Sequence, residues 1–374
     1  MAKAVYVGVG SKAHKMKKAY IGIGGKARKV KKMYIGVGGK ARLCYSAELE
    51  KVGMATALST TRYDMRAATV GKYALFAGGY ISKSSFGYSV SSSVDAYNTS
   101  LTKSTPTELS CKRCGHAAAS VGGYALFAGG ASSYNLLGIY ENLVSAVDAY
   151  DASLTRSAAH IIGATVAIGG AAVGNYALFA GGTVYSQINK DNVTSDVLAY
   201  DPSLTFTTAP LLSVARANVK GASAGNYALF AGGRAGSFCT TVDAYNASLT
   251  RTTATALSST KNNSAAATVG NHAIFVGNTA SADIYDASLT KTSAAILSTA
   301  RMGLAATTVG DYAIFSGGGV ADFCDASLTR SSIGTSMTGY YMGAATIGDY
   351  ALFAGGQSGE NSGTAYDSVE VYTA

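Results

Sequence analysis

The sequence predicts an all-β chain: a seven-bladed β-propeller closed by an N-terminal strand and preceded by a small segment of β-hairpin repeats. Three observations carry this. The motif Tyr-Ala-Leu-Phe-Ala-Gly-Gly, or a close variant, occurs seven times, starting at Tyr73, Tyr124, Tyr176, Tyr227, His272, Tyr312 and Tyr350. Each copy stands in the same succession of short strand-like segments. A separate 14-residue repeat with period-two alternation fills the first 42 residues.

Composition allows this and excludes other classes. The chain has 374 residues, 48% hydrophobic and 14% charged, so it is too apolar for a disordered chain and too sparsely charged for a long coiled coil. Five cysteines cannot form a disulfide framework, and an odd number leaves one thiol unpaired. The first residues contain no continuous apolar run, which argues against a signal peptide. The stretch 164–182 is long and uncharged enough to resemble a membrane span, but it holds five glycines and its pattern recurs elsewhere as hairpin strands. No membrane insertion is expected.

The charge is segregated. Residues 1–42 hold twelve Lys or Arg and no acid; 43–374 hold the remaining 18 bases and all 21 acids, a net of −3. Within the basic segment, Tyr6, Tyr20 and Tyr34 recur in register, each opening a Tyr-Ile-Gly-Ile-Gly-like strand. A Gly-Gly-Lys turn follows, and then a charged returning strand carrying Lys26 and Arg28, or Lys40 and Arg42. Three thin hairpins bury little apolar surface, so they are expected to gain order by pairing with copies of themselves or by docking on a larger assembly.

The seven copies of the longer motif are 51, 52, 51, 45, 40 and 38 residues apart. Ahead of each lies an Ala-rich segment ending in a turn pair such as Gly270-Asn271, suited to a two-residue hairpin. A variable loop follows it, then Val-Asp-Ala-Tyr, then an Asp or Asn turn and a Ser-Leu-Thr strand. Units of four short strands, ~40–50 residues each, describe a propeller. Small residues on the first strand suit the crowded axis. The last unit ends before any Ser-Leu-Thr strand, while Tyr45 to Thr60 resembles the piece that is missing, so that segment is expected to complete the last blade.

The body, residues 43–374, resembles the kelch-type propeller family. Arg113-Cys-Gly-His116, the small-residue strand after it and the double glycine Gly129-Gly130 match its pattern. The departures are the missing Trp, Gly277-Asn278 in place of a double glycine, and Lys261 in place of one Arg. The basic 14-residue repeats resemble arrays at the N-termini of structural and tail proteins of phages of Gram-positive bacteria. That resemblance implies a virion protein, made in the host cytoplasm, whose residues 1–42 mount on other virion proteins as a homo-oligomer.

Residue patterns that carry chemistry are few. Cys111, Cys114 and His116 lack a second Cys/His pair at zinc spacing, and Gly115 breaks a haem-attachment motif. Lys40 follows glycines in the wrong register for a phosphate loop, and Ala41 stands where Ser or Thr is needed. Asp95, Asp148, Asp243, Asp283 and Asp322 occupy equivalent places in five units. Acid–base catalysis needs two unlike environments, so these read as structural. No metal, cofactor or catalytic residue is assigned, and nucleic-acid binding by the basic segment is the weaker reading.

Binding is expected on the face carrying the long loops after the Tyr-Ala-Leu-Phe strands. Their Tyr, Ser, Gly and Asn content suits recognition. Tyr80, Phe86, Tyr88, Tyr134, Tyr140 and Tyr185 are the candidate contacts. The function expected is attachment to a host-surface glycan or protein. A purely structural capsid or tail decoration is the alternative, and a glycan-active enzyme a third reading that lacks any acid–base or metal constellation.

Overall fold

The computed structural model describes the chain outside residues 1–5, 10–11, 16–18, 24–25, 31, 38–39, 47–48, 85–86, 137–138, 161, 164, 188–189, 262–264 and 360–362. For 84, 185–187, 190–191 and most of 6–46 it describes the backbone alone. The fold is all-β and propeller-like, built from four-stranded antiparallel sheets.

The second repeat shows the plan. Ala117–Val121, Tyr124–Ala128, Val147–Asp151 and Arg156–Ala158 pair in sequence order, each antiparallel to the last. Among the described residues seven sheets share this plan, one for each copy of the motif. In the last, Gly343–Ile347, Tyr350–Ala354 and Val369–Thr373 are joined by Glu50–Ala55, with Val369 opposite Ala55 and Thr373 opposite Glu50. The segment missing from the C-terminal unit thus comes from near the N-terminus.

Burial explains the motif. In Tyr124–Ala128 every residue after the Tyr is buried. A strand flanked by sheets on both faces needs a continuous apolar run, not an alternating one. Phe127 meets Tyr150 edge-on with ring centroids 5.9 Å apart, and the pair recurs as Phe230 with Tyr245. The first strands approach so closely that a Cβ on Gly221 would lie 2.1 Å from Gly170 O, and one on Gly170 2.4 Å from Ala118 O. Small residues there are a steric requirement.

A run of side-chain hydroxyls ties one sheet to the next. Ser120 Oγ donates to Thr69 O (2.7 Å), Ser223 Oγ to Ala172 O (2.8 Å) and Thr268 Oγ1 to Ser223 O (3.1 Å). Thr308 donates to Thr268 O and Thr346 to Thr308 O. Thr69 Oγ1 donates to Thr346 O at 2.8 Å, so the first and last repeats are neighbours. In the third repeat the equivalent residue is Ala172, which has no hydroxyl to donate.

The repeated acids are the inner partners of buried ion pairs. Asp243 Oδ2 lies 2.9 Å from Arg216 Nη1, both side chains fully buried, and its Oδ1 lies 2.9 Å from Arg251. Arg62 with Asp95, Arg113 with Asp148, Arg301 with Asp322 and Lys261 with Asp283 repeat the arrangement. The third repeat has Thr165 and Leu198 at these two places, so both charges are lost together.

Two sequence expectations need correction. Ser-Leu-Thr is not a strand: it is the turn, and the fourth strand begins after it, at Arg156 or Arg251. Asp151 Oδ1 accepts from the Ser153 and Thr155 amides at 2.8 and 2.9 Å, closing the turn, and Leu154 has φ 65°. A left-handed leucine costs ~1–2 kcal/mol. Packing of Leu154 on the neighbouring core of Ala68, Leu75 and Phe127 offsets that strain. Second, the long connections are themselves β-hairpins, because the two halves of each connection pair with one another.

In the N-terminal segment three hairpins are present. Tyr6–Val9 pairs with Lys12–Lys15, Tyr20–Ile23 with Lys26–Lys29, and Lys32–Val37 with Lys40–Ser46. Tyr6, Tyr20 and Tyr34 lie opposite Lys15, Lys29 and Leu43. Lys26, Arg28, Lys40 and Arg42 lie opposite Ile23, Ile21, Val37 and Ile35. The third hairpin runs on to Ser46, past residue 42.

Candidate ligand cup

The connections after the second strands fold into hairpins: Tyr80–Ser84 with Gly87–Val90, Ala131–Tyr134 with Tyr140–Leu143, and Thr183–Gln187 with Lys190–Val193. The first two join through Tyr88 opposite Tyr134 into one four-stranded sheet. This sheet brings its tyrosines together. Ring centroids are 5.6 Å apart for Tyr80 and Tyr88, 5.0 Å for Tyr88 and Tyr134, and 4.8 Å for Tyr134 and Tyr140. Tyr63 stacks on Tyr80 at 5.1 Å.

These rings form one wall of a cup of about 390 Å³. Of the six contacts expected from sequence, Tyr80, Tyr88, Tyr134 and Tyr140 line it. Phe86 lies outside the described residues. Tyr185 sits in Thr183–Gln187 opposite Asn192, and its side chain is outside the description.

The floor comes from residues just before the first strands. Asp64, Gly115, Ala167, Asn218, Gly303 and Tyr341 all line the cup, and all are left-handed, with φ between 51° and 63°. That conformation links them one to the next. Asp64 N donates to Tyr341 O, Tyr341 N to Gly303 O, Ala167 N to Gly115 O and Asn218 N to Ala167 O, each at 2.7 Å. The backbone at the cup floor is therefore fixed by neighbouring repeats rather than by its own.

Arg66 and Lys220 stand at the bottom, at the first position of their strands. Both line the cup and also a second cavity of about 250 Å³ below it, which shares Leu304 and Met342. Arg66 Nη1 lies 2.7 Å from Asp64 Oδ1, and its Nε donates to His116 O at 2.9 Å. Burial opposes the Arg66 charge, yet Asp64 outweighs it and holds the guanidinium above its ordinary pKa. Lys220 has no such carboxylate. Burial, and then repulsion from Arg66, lower its ammonium to about 8. Lys83 Nζ lies near the rim, 5.5 Å from the Tyr88 ring centre.

Burial pushes the Tyr63, Tyr80, Tyr134 and Tyr140 hydroxyls above their ordinary pKa, so the wall is neutral at physiological pH. Cys114, at the hydrophobic base of the wall, is pushed up to about 12 by burial and donates weakly to Ala131 O (3.5 Å). His116 is fully buried against Phe127, and burial holds it neutral. Among the described residues no group of three His, Cys, Asp or Glu could hold a metal ion.

Sequence reasoning missed Tyr63, Asp64, Arg66, Lys220 and Tyr341. A signal for two of them existed: Arg66 and Lys220 are charged at a position where the other repeats carry Ala or Gly.

No protein-family model matches the chain, and no curated protein matches it by sequence. The solved structure of YjhT is similar, with a TM-score of 0.55 over 86% of this chain and 97% of that one, at 12% identity. That likeness shows the fold alone. Among the described residues no helix is long and apolar enough to cross a membrane. The arrangement offers flat aromatic faces, neutral hydroxyl donors and a cationic floor, which together suit a polar ligand with a flat apolar face.

Proposed function

We propose that this chain is a non-enzymatic phage virion protein that binds the host surface, a glycan by chemistry, through the tyrosine-walled cup. The cup is the observation that carries the reading. Sugar rings present C–H faces that pack on aromatic faces, and hydroxyl edges that pair with polar groups such as Asn218, Gln357 and the tyrosine hydroxyls. Asp64 is the one carboxylate among the described residues lining the cup, and it is paired with Arg66, which favours binding over acid–base catalysis.

In this reading the repeat sheets are seven blades of a closed, kelch-like ring. Pairing of Val369–Thr373 with Glu50–Ala55 supports closure, as do the Thr69 to Thr346 hydrogen bond and the nearness of Thr99, whose Cγ2 would lie 3.2 Å from a Cβ placed on Gly348. The basic hairpins of residues 1–42 form the anchor to other virion proteins, supported by their charge segregation and self-repeating strands.

The decoration reading has one observation in its favour: Tyr88 and Tyr134 also hold two hairpins together, so part of the aromatic surface serves the molecule itself. Binding of the full chain to a panel of bacterial surface glycans tests the proposal. Tyr88→Ala with Tyr134→Ala should abolish binding and leave incorporation into particles intact. Unchanged adsorption by such particles would refute it.

A further inference from the structure

We propose that the cup takes an anionic glycan, its carboxylate or phosphate seated between Arg66 and Lys220 and its sugar face against the tyrosine wall. The inference rests on the sugar-binding reading above and adds the charge of the ligand.

Among the described residues lining the cup three are cations, Arg66, Lys83 and Lys220, against one carboxylate, Asp64. Asp64 occupies one edge of Arg66 through Nη1, while Nε is spent on His116 O. Among the described residues Arg66 Nη2 and Lys220 Nζ have no hydrogen-bond acceptor. Both residues line the cup and also the cavity beneath it, so these two donors stand where the two spaces adjoin.

A structural role does not account for Lys220. Its place on the inner strand is filled by Ala117, Gly169, Ala265, Ala305 and Gly343 in other repeats, so the fold does not require a long side chain. Burial and repulsion from Arg66 disfavour the Lys220 ammonium in the empty cup. A bound oxyanion removes that cost by accepting from both donors at once. Charge-assisted hydrogen bonds of this kind are shorter and stronger than neutral ones. The groups facing Lys220 are Arg66 and Asp64, and the nearby tyrosines stay protonated, so anion affinity should fall as pH rises above the Lys220 value of about 8.

The test titrates the full chain with galactose, galacturonate, galactose 6-phosphate and inorganic phosphate by calorimetry. An anionic sugar should bind at least about tenfold more tightly than galactose. Lys220→Gln should lose about 10- to 100-fold for the anionic sugar and far less for galactose, whereas Lys220→Arg should retain most of the anionic-sugar affinity. Which of the two anionic sugars binds tighter identifies the source of the charge. Equal binding of galactose and both anionic sugars overturns this inference while leaving the sugar cup standing. Inorganic phosphate binding as tightly as the sugar phosphate overturns the glycan part. Failure of both anionic sugars to bind overturns the proposal, and unaltered sugar binding by Tyr88→Ala with Tyr134→Ala overturns the underlying reading instead. Loss of wild-type affinity above pH 8 gives a readout that does not depend on a variant folding.

Discussion

Removing the buried pair of Arg216 and Asp243 one residue at a time should be far more damaging than removing both. The guanidinium of Arg216 is fully buried and bonded through each nitrogen: Nη1 to Asp243 Oδ2 and Val214 O, Nε to Gly232 O and Nη2 to Phe230 O, at 2.9–3.0 Å. Asp243→Leu leaves that cation buried without a counter-charge, which costs about 3–5 kcal/mol. Arg216→Thr is milder. Asp243 keeps Arg251, whose side chain is 31% exposed, and the Ser213 hydroxyl at 3.0 Å, so the expected loss is about 2–3 kcal/mol. The double variant recreates the Thr165 and Leu198 of the third repeat, where Leu198 lies opposite Phe179 as Asp243 lies opposite Phe230. Replacing a buried pair by an apolar one is often close to neutral, so the double should lose only about 1–2 kcal/mol, a coupling of roughly 3–7 kcal/mol between the sites, at or above the top of the range usual for neighbours. Urea unfolding followed by far-ultraviolet circular dichroism and tyrosine fluorescence measures all four corners of the cycle. A double variant as unstable as the two single losses added together would refute the claim that the pair acts as one buried unit.

Other perturbations follow from the same packing. Gly221→Ala places a methyl 2.1 Å from Gly170 O, a backbone atom that cannot swing aside, and should lower the melting temperature where Ala222→Gly, on the next residue of the same strand, adds no clash. Deleting residues 43–58 removes Glu50–Ala55 from beside Val369–Thr373 and leaves an unpaired strand edge, so light scattering should show aggregation and the melting transition should lose cooperativity. Lys220, held at about 8 in the folded chain against about 10.4 when unfolded, is charged in both states below pH 8. Between those values the unfolded chain holds the extra proton, so stability should rise with pH across that window. The rise should be smaller in Lys220→Met, compared by urea midpoint at pH 7 and pH 10.

Local chemistry made the repeat legible. Period-two and continuous apolar runs locate Tyr73–Ala77 and Val94–Asn98, and the Asx chemistry of Asn98 marks the turn that follows. These signals survive in sequence because each depends on neighbours a few residues away. Ser-Leu-Thr misled for the same reason: Leu154 reads as a strand residue, and only the core formed between its own sheet and the next makes a left-handed leucine tolerable.

The sequence by itself also exposed the aromatic richness of Tyr80, Tyr88, Tyr134 and Tyr140, because they cluster within two connections. Tertiary structure alone decided that these rings would wall a cup with Tyr63 and Tyr341, and that Arg66 and Lys220, 154 positions apart, would share its floor. It also decided that Asp243 would be buried on Arg216 rather than exposed on a strand face. The physical reason is convergence. Each repeat obeys rules written in its own residues, whereas a site assembled from the ends of several repeats exists only once packing has brought those ends together.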